Sequence, residues 1–157
     1  MNSNIAIDIH GTLDTDPEFF KDMLSIIIEA RTLVWIISGP PVEDMIAELT
    51  KMGFIGGVHY NGTISIVDFL QERNTDMWKD EHENWWAGDL DWWSAKGRMC
   101  AHYCIGTLID NEIRYKQYMP GQCKFVLWEG REQWQKNMLI KSQQTLKETW
   151  EKKSTTD

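Results

Sequence analysis

The stretch "IAIDIHGTLDTDPEFF" (5–20) decides how this chain is read. Residues 4–9 form a short, Ile-rich run with the length and composition of a fully buried strand. Asp8 stands at the end of that run and His10 follows two residues later, then Gly11 and Thr12. A helix start comes next: Thr15 or Asp16 suits the cap, Pro17 the first turn, and Glu18 the free N–H groups there. An unpaired charge is costly inside a core. The reading that avoids the cost puts Asp8 at the mouth of a sheet.

Working outward, the helix runs to about Arg31 with Phe20, Leu24, Ile27 and Ile28 on one side. "LVWIIS" (33–38) is a second buried strand, ending on Ser38. Pro40 and Pro41 open a helix over "VEDMIAELTKMG", which Gly53 stops, although Ser38 also has the position of a cap for it. "IGGVHY" (55–60) reads as a third strand and "ISIVDFLQER" as a short helix. Residues 62–93 form a Trp-rich excursion whose later part is loop-rich. A helix is expected from Trp93 to about Tyr103, then strands over "GTLID" (106–110) and "CKFVLW" (123–128). Residues 131–157 read as a polar helix or tail, with Trp134, Leu139, Leu146 and Trp150 as docking residues.

Buried strands alternating with helices predict the α/β class: one domain over 1–157, built as a three-layer, Rossmann-like parallel sheet with helices on both faces. Ligands of such sheets sit beyond the carboxyl ends of the strands. Asp8, Ser38 and Asp110 each fall at such an end, so the three converge on one edge.

The chain has 157 residues, 42% of them hydrophobic, and a formal net charge of −8 without a dense basic run. That balance disfavours a binder of nucleic-acid backbone; a phosphorylated nucleic-acid end stays as a weaker alternative. No run approaches the ~18 to 20 apolar residues of a membrane span, and the N-terminus lacks a secretory pattern. Three cysteines, Cys100, Cys104 and Cys123, suit reduced thiols in a cytoplasmic setting. Cys100 and Cys104 with His102 do not make a metal set, because on a helix the middle position points away from the outer two. Of nine tryptophans, Trp78, Trp85, Trp86, Trp92 and Trp93 fall in or beside the excursion. They read either as a cluster pinning it to the sheet or as a lid over the edge.

Four segments in order, "DIHGTL", "IISGPP", "WWSAKGRMC" and "TLIDNE", resemble the four motifs of the haloacid dehalogenase-like (HAD) superfamily. The likeness covers residues 4–128 and is similar to the small HAD-like hydrolases of phages and bacteria. A lone strand-end Asp is more often a turn or capping residue, but four motifs in order outweigh that reading. The resemblance implies a Mg²⁺-dependent phosphohydrolase of small phosphate monoesters, nucleotides among them, working through an aspartyl-phosphate. It implies no large cap, since only one helix fits between Asp8 and Ser38. Asp8 would be the nucleophile. Mg²⁺ would be held by Asp8, the backbone carbonyl of His10, Asp110 and Asn111. Ser38 and Gly39 would meet the phosphate, with backbone N–H groups around Gly11 and Thr12 as a cradle. Lys96, at the start of its helix, would bring positive charge to phosphate and nucleophile.

Two positions depart from the family pattern. His10 stands where family phosphatases usually carry an acid, and Asn111 where a second acid is common. An imidazole, with an ordinary pKa of about 6.5, suits acid–base work near neutrality. His10 is therefore either an altered acid/base or the mark of a catalytically degenerate, HAD-like binding or interaction protein.

Overall fold

The computed structural model describes residues 4–154. In chain order it contains β1 (Asn4–Ile7), a 3-10 turn (Leu13–Thr15), α1 (Pro17–Glu29), β2 (Val34–Ser38), α2 (Val42–Lys51) and β3 (Gly62–Ser65). Then follow α3 (Ile66–Gln71), β4 (Met77–Lys79), β5 (Trp85–Ala87), α4 (Asp89–His102), β6 (Ile105–Asp110), a second 3-10 turn (Ile113–Tyr118), β7 (Lys124–Leu127) and α5 (Arg131–Ser154). Five strands form one parallel sheet in the order β3-β2-β1-β6-β7, while β4 and β5 pair as a separate antiparallel hairpin. The fold is a Rossmann-like α/β layer structure. From β1 the chain steps outward to β2 and β3, then crosses back to β6 on the other side. The strand order therefore reverses between β1 and β6, the place where such sheets open a crevice.

Alternation of side chains sorts the sheet residues onto two faces. Ile7, Ile36 and Ile109 pack with Phe20 and Leu24 of α1 and Met45 and Leu49 of α2. Ala6, Ile37, Ile64 and Leu108 pack with α3 and α4 through Ile66, Leu70, Ala95 and Met99. Burying each large aliphatic side chain contributes roughly 1.5–3 kcal/mol. These two apolar layers hold the sheet's mouth in shape. Asp16 caps α1 by accepting from the Phe19 N–H at 3.4 Å. It also takes two hydrogen bonds from Arg131, at 2.6 and 2.7 Å, which tie the first turn of α5 to the start of α1.

Several expected elements shift. The third strand is Gly62–Ser65, not 55–60. Gly57, at φ +83°, turns the earlier segment back on itself, with its N–H donating to the Tyr60 carbonyl at 2.8 Å. β1 ends at Ile7, so Asp8 and Ile9 lie just beyond the strand. Ser38 does not cap α2; the Val42 N–H donates to Asp68 of α3 instead, at 3.0 Å. α4 starts at Asp89, before the expected Trp93, so Lys96 lies mid-helix and not at its start. Trp134 packs against the core, whereas Leu139, Leu146 and Trp150 stay exposed and do not dock. No helix among the described residues is long and apolar enough to cross a membrane.

Candidate active site

Three charged side chains meet where the strand order reverses. The Lys96 Nζ donates to Asp8 Oδ1 at 2.8 Å and to Asp110 Oδ2 at 2.6 Å. All three are buried: Asp8 is 5% exposed, Lys96 2% and Asp110 0%. The sheet supplies the carboxylates from neighbouring strand ends, with the Asp8 N–H donating to the Ile109 carbonyl at 3.0 Å. α4 supplies the lysine. Trp92, Lys96 and Cys100 recur at four-residue spacing on its buried side, with Ala95 and Met99 beside them. Gly97 lets α4 approach, because a Cβ there would run into the backbone carbonyl of Tyr118. The Tyr115 ring then lies 4.4 Å from Lys96 Nζ.

Burial alone would push the Lys96 ammonium towards neutrality, but the Asp8 and Asp110 carboxylates reverse this and raise its pKa. The Asp8 carboxyl is pushed up by burial, against the pull of Lys96 and with the help of the neighbouring Asp110. Asp110 is oriented from its other side by the Glu112 N–H, at 2.8 Å. Two carboxylates facing one ammonium leave one surplus negative charge in a buried place.

The expected His10 lies at the rim, and the structure adds two partners. Ser38 Oγ is 3.2 Å from His10 Nδ1, and Glu48 Oε2 of α2 is 2.7 Å from His10 Nε2. An ionised carboxylate only accepts hydrogen bonds. Nε2 therefore carries a proton, which leaves Nδ1 of the neutral ring as acceptor for the Ser38 hydroxyl. Glu48 fixes both the tautomer and the ring plane. Sequence reasoning missed it, because Glu48 reads as one more charge on an exposed helix face.

A cavity of about 270 Å³ is lined by Asp8, His10, Ser38, Gly39, Lys96, Asp110 and Asn111 among others. Seven expected site residues thus share one hollow. Trp86, Trp92 and Trp93 form part of its wall. The Trp-rich excursion therefore lies beside the sheet's mouth, while Trp85, Trp92 and Trp93 also pack on the core.

Gly11 and Thr12 do not line this cavity. Gly11, at φ +80°, has its N–H taken by Asp14, and a Cβ there would collide with the Asn111 side chain. Thr12 Oγ1 accepts from the Asn111 N–H at 3.1 Å and donates to Asn111 Oδ1 at 3.3 Å. The two residues lock Asn111 in place. Among the described residues, no hydrogen bond takes up the N–H of Ile9 or of His10, so the backbone donors next to Asp8 are those two.

Among the described residues, no group of three or more His, Cys, Asp and Glu side chains gathers to hold a metal. The oxygen set at the mouth is smaller: the carboxylates of Asp8 and Asp110, with the Asn111 amide oxygen already accepting from Thr12. Hard oxygen donors, few carboxylates and an unneutralised negative charge fit Mg²⁺, which keeps several of its waters. Cys100 lies buried against Cys123, whose contact and the surrounding burial push its thiol pKa up, while Cys104 is exposed. No family model, curated protein or solved structure matches the chain.

Proposed function

We propose that the chain is a HAD-like phosphohydrolase of small phosphate monoesters, working through an aspartyl-phosphate on Asp8. The observation that carries this reading is the buried Lys96 ammonium held between Asp8 and Asp110 at the switch in strand order. A carboxylate attacking a phosphate dianion meets charge repulsion, so it needs cations and N–H donors around it. Lys96 supplies one cation. Mg²⁺, held by Asp8, Asp110 and the His10 carbonyl, would neutralise further charge on the phosphate.

In the first half-reaction an Asp8 carboxylate oxygen forms the new O–P bond while the bond to the leaving alcohol breaks. Protonated His10 gives its Nδ1 proton to the leaving oxygen. In the second, water attacks phosphorus, His10 takes the water's proton, and the bond to Asp8 breaks. Inorganic phosphate leaves and the carboxylate is regenerated. Ser38 and the N–H groups of Ile9 and His10 steady the transferred group. The second reading is a binding scaffold. Its support is the Asn111 amide oxygen, which is neutral and engaged by Thr12, so it adds little to a metal site.

The test is a phosphatase screen with Mg²⁺ across phosphate monoesters, comparing wild type with Asp8→Asn and His10→Asp. Wild-type turnover should fall by several orders of magnitude in Asp8→Asn, and the variant should still fold because it loses the surplus charge. Inert wild type with an active His10→Asp would favour the scaffold. No hydrolysis by any form would end the phosphohydrolase reading.

A further inference from the structure

The hollow at Asp8 does not stop at Trp86. His10, Gly39, Trp86 and Trp92 also line a second hollow of about 390 Å³, so the two hollows adjoin along these residues and are taken together as a trough. Its character changes along its length. The Lys96 ammonium lies at the Asp8 end. Flat apolar surface follows, from Trp86, Trp92, Pro40 and Pro41. Asp44 and Asn84 line the second hollow and not the first.

Trp86 is exposed but fixed. Its indole N–H donates to Asp80 Oδ2 at 2.8 Å, and its ring lies 4.8 Å from that of Trp92. Asp80 is itself held by the N–H groups of His82 and Asn84, at 2.8 and 3.0 Å. These bonds, the Trp86 indole foremost, hold the Asp80 carboxyl down at about 2. Trp86 is 39% exposed, against 8% for Trp92, and lines both hollows with its indole N–H anchored.

We propose that this trough takes a nucleoside monophosphate, with the phosphate at Asp8 and Lys96 and the base on Trp86. Only the phosphate end rests on the phosphohydrolase reading; the base end rests on the trough itself. Every base offers a π-face to a tryptophan ring. Asp44 and Asn84 present acceptors suited to exocyclic amino groups, as on adenine, cytosine and guanine. A phenol ring has no such edge. Asp44 has no cationic partner among the described residues, and Lys79 is offset by Glu83 at 2.8 Å. That end of the trough therefore disfavours a second or third phosphate.

Calorimetry in EDTA, which prevents Mg²⁺-dependent turnover, with AMP, ribose 5-phosphate, adenosine and ATP tests this on wild type, Trp86→Ala and Trp86→Phe. AMP should bind wild type at least roughly tenfold tighter than ribose 5-phosphate, in line with the worth of one stacked base. The gap should close in Trp86→Ala, persist largely in Trp86→Phe, and ATP should bind more weakly than AMP. Equal binding of AMP and ribose 5-phosphate by wild type overturns the base site and leaves the phosphohydrolase reading standing. Adenosine binding that is lost in Trp86→Ala, with no ester hydrolysed, supports the base site and removes the phosphohydrolase. Failure to bind either AMP or adenosine, or preference for a phosphotyrosine peptide over AMP, overturns the proposal.

Discussion

The groove between β7 and α5 is larger than the hollow at the sheet's mouth, about 460 Å³ against 270 Å³. Its walls are side chains such as Val126, Trp134 and Met138, the last 52% exposed. Its lysines, Lys124 and Lys141, meet each other, and that contact lowers the pKa of Lys124. Nothing charged is forced out of water there. At the mouth, three charged side chains are almost wholly buried in a smaller space. Burying charge is opposed by large desolvation terms, so these groups stay there only because they meet one another. Volume ranks the two hollows one way and chemistry the other.

The largest effect that would break this contrast is on stability. Lys96→Met leaves Asp8 and Asp110 buried without their cation and should cost about 3–5 kcal/mol in urea unfolding. A loss under about 1 kcal/mol would mean that the ammonium is not what holds the mouth together. The pairing also sets a pH window. The folded pKa of Lys96 lies above the ordinary 10.5, so the pairing stabilises fully below 10.5 and its contribution fades as pH rises beyond that value. The stability difference between wild type and Lys96→Met should shrink over the same alkaline range.

A smaller effect sharpens the role of the rim. Glu48→Gln keeps size and removes the charge that fixes the His10 tautomer. Turnover of alkyl phosphates should fall roughly tenfold, about 1.4 kcal/mol in barrier, while aryl phosphates with good leaving groups change little. Stability should stay within about 0.5 kcal/mol. Equal loss on both substrate classes would remove Glu48 from the proton path. The smallest effect belongs to the groove at α5. Met138→Ser should leave turnover unchanged and shift stability by no more than about 0.5 kcal/mol; a larger change would show that this groove, too, matters to the fold.

The legibility of these regions in the sequence was uneven for physical reasons. Asp8, Ser38 and Asp110 stand out because each ends an apolar run, a signal carried within six or so neighbouring residues. Lys96 is reached in the sequence only through the likeness of "WWSAKGRMC" to a family motif; its spacing with Trp92 and Cys100 on a buried side shows only once α4 is seen to start at Asp89. β3 escapes notice, since "GTIS" is short and half polar, and Gly62 suits the strand only because the Trp35 ring lies where a Cβ would go. Glu48 escapes because its partner is 38 residues away.

The sequence alone determined the α/β layering and most strand ends of the parallel sheet, because hydrophobic period and helix punctuation are local properties of the chain. Only the tertiary structure decided the strand order β3-β2-β1-β6-β7, the seat of Lys96 between two carboxylates, the Glu48 contact to His10 and the fixed ring of Trp86 beside Trp92. Each of these depends on which distant residues meet and how much water they lose on meeting. Desolvation is a property of the assembled surroundings and is not carried by any stretch of chain.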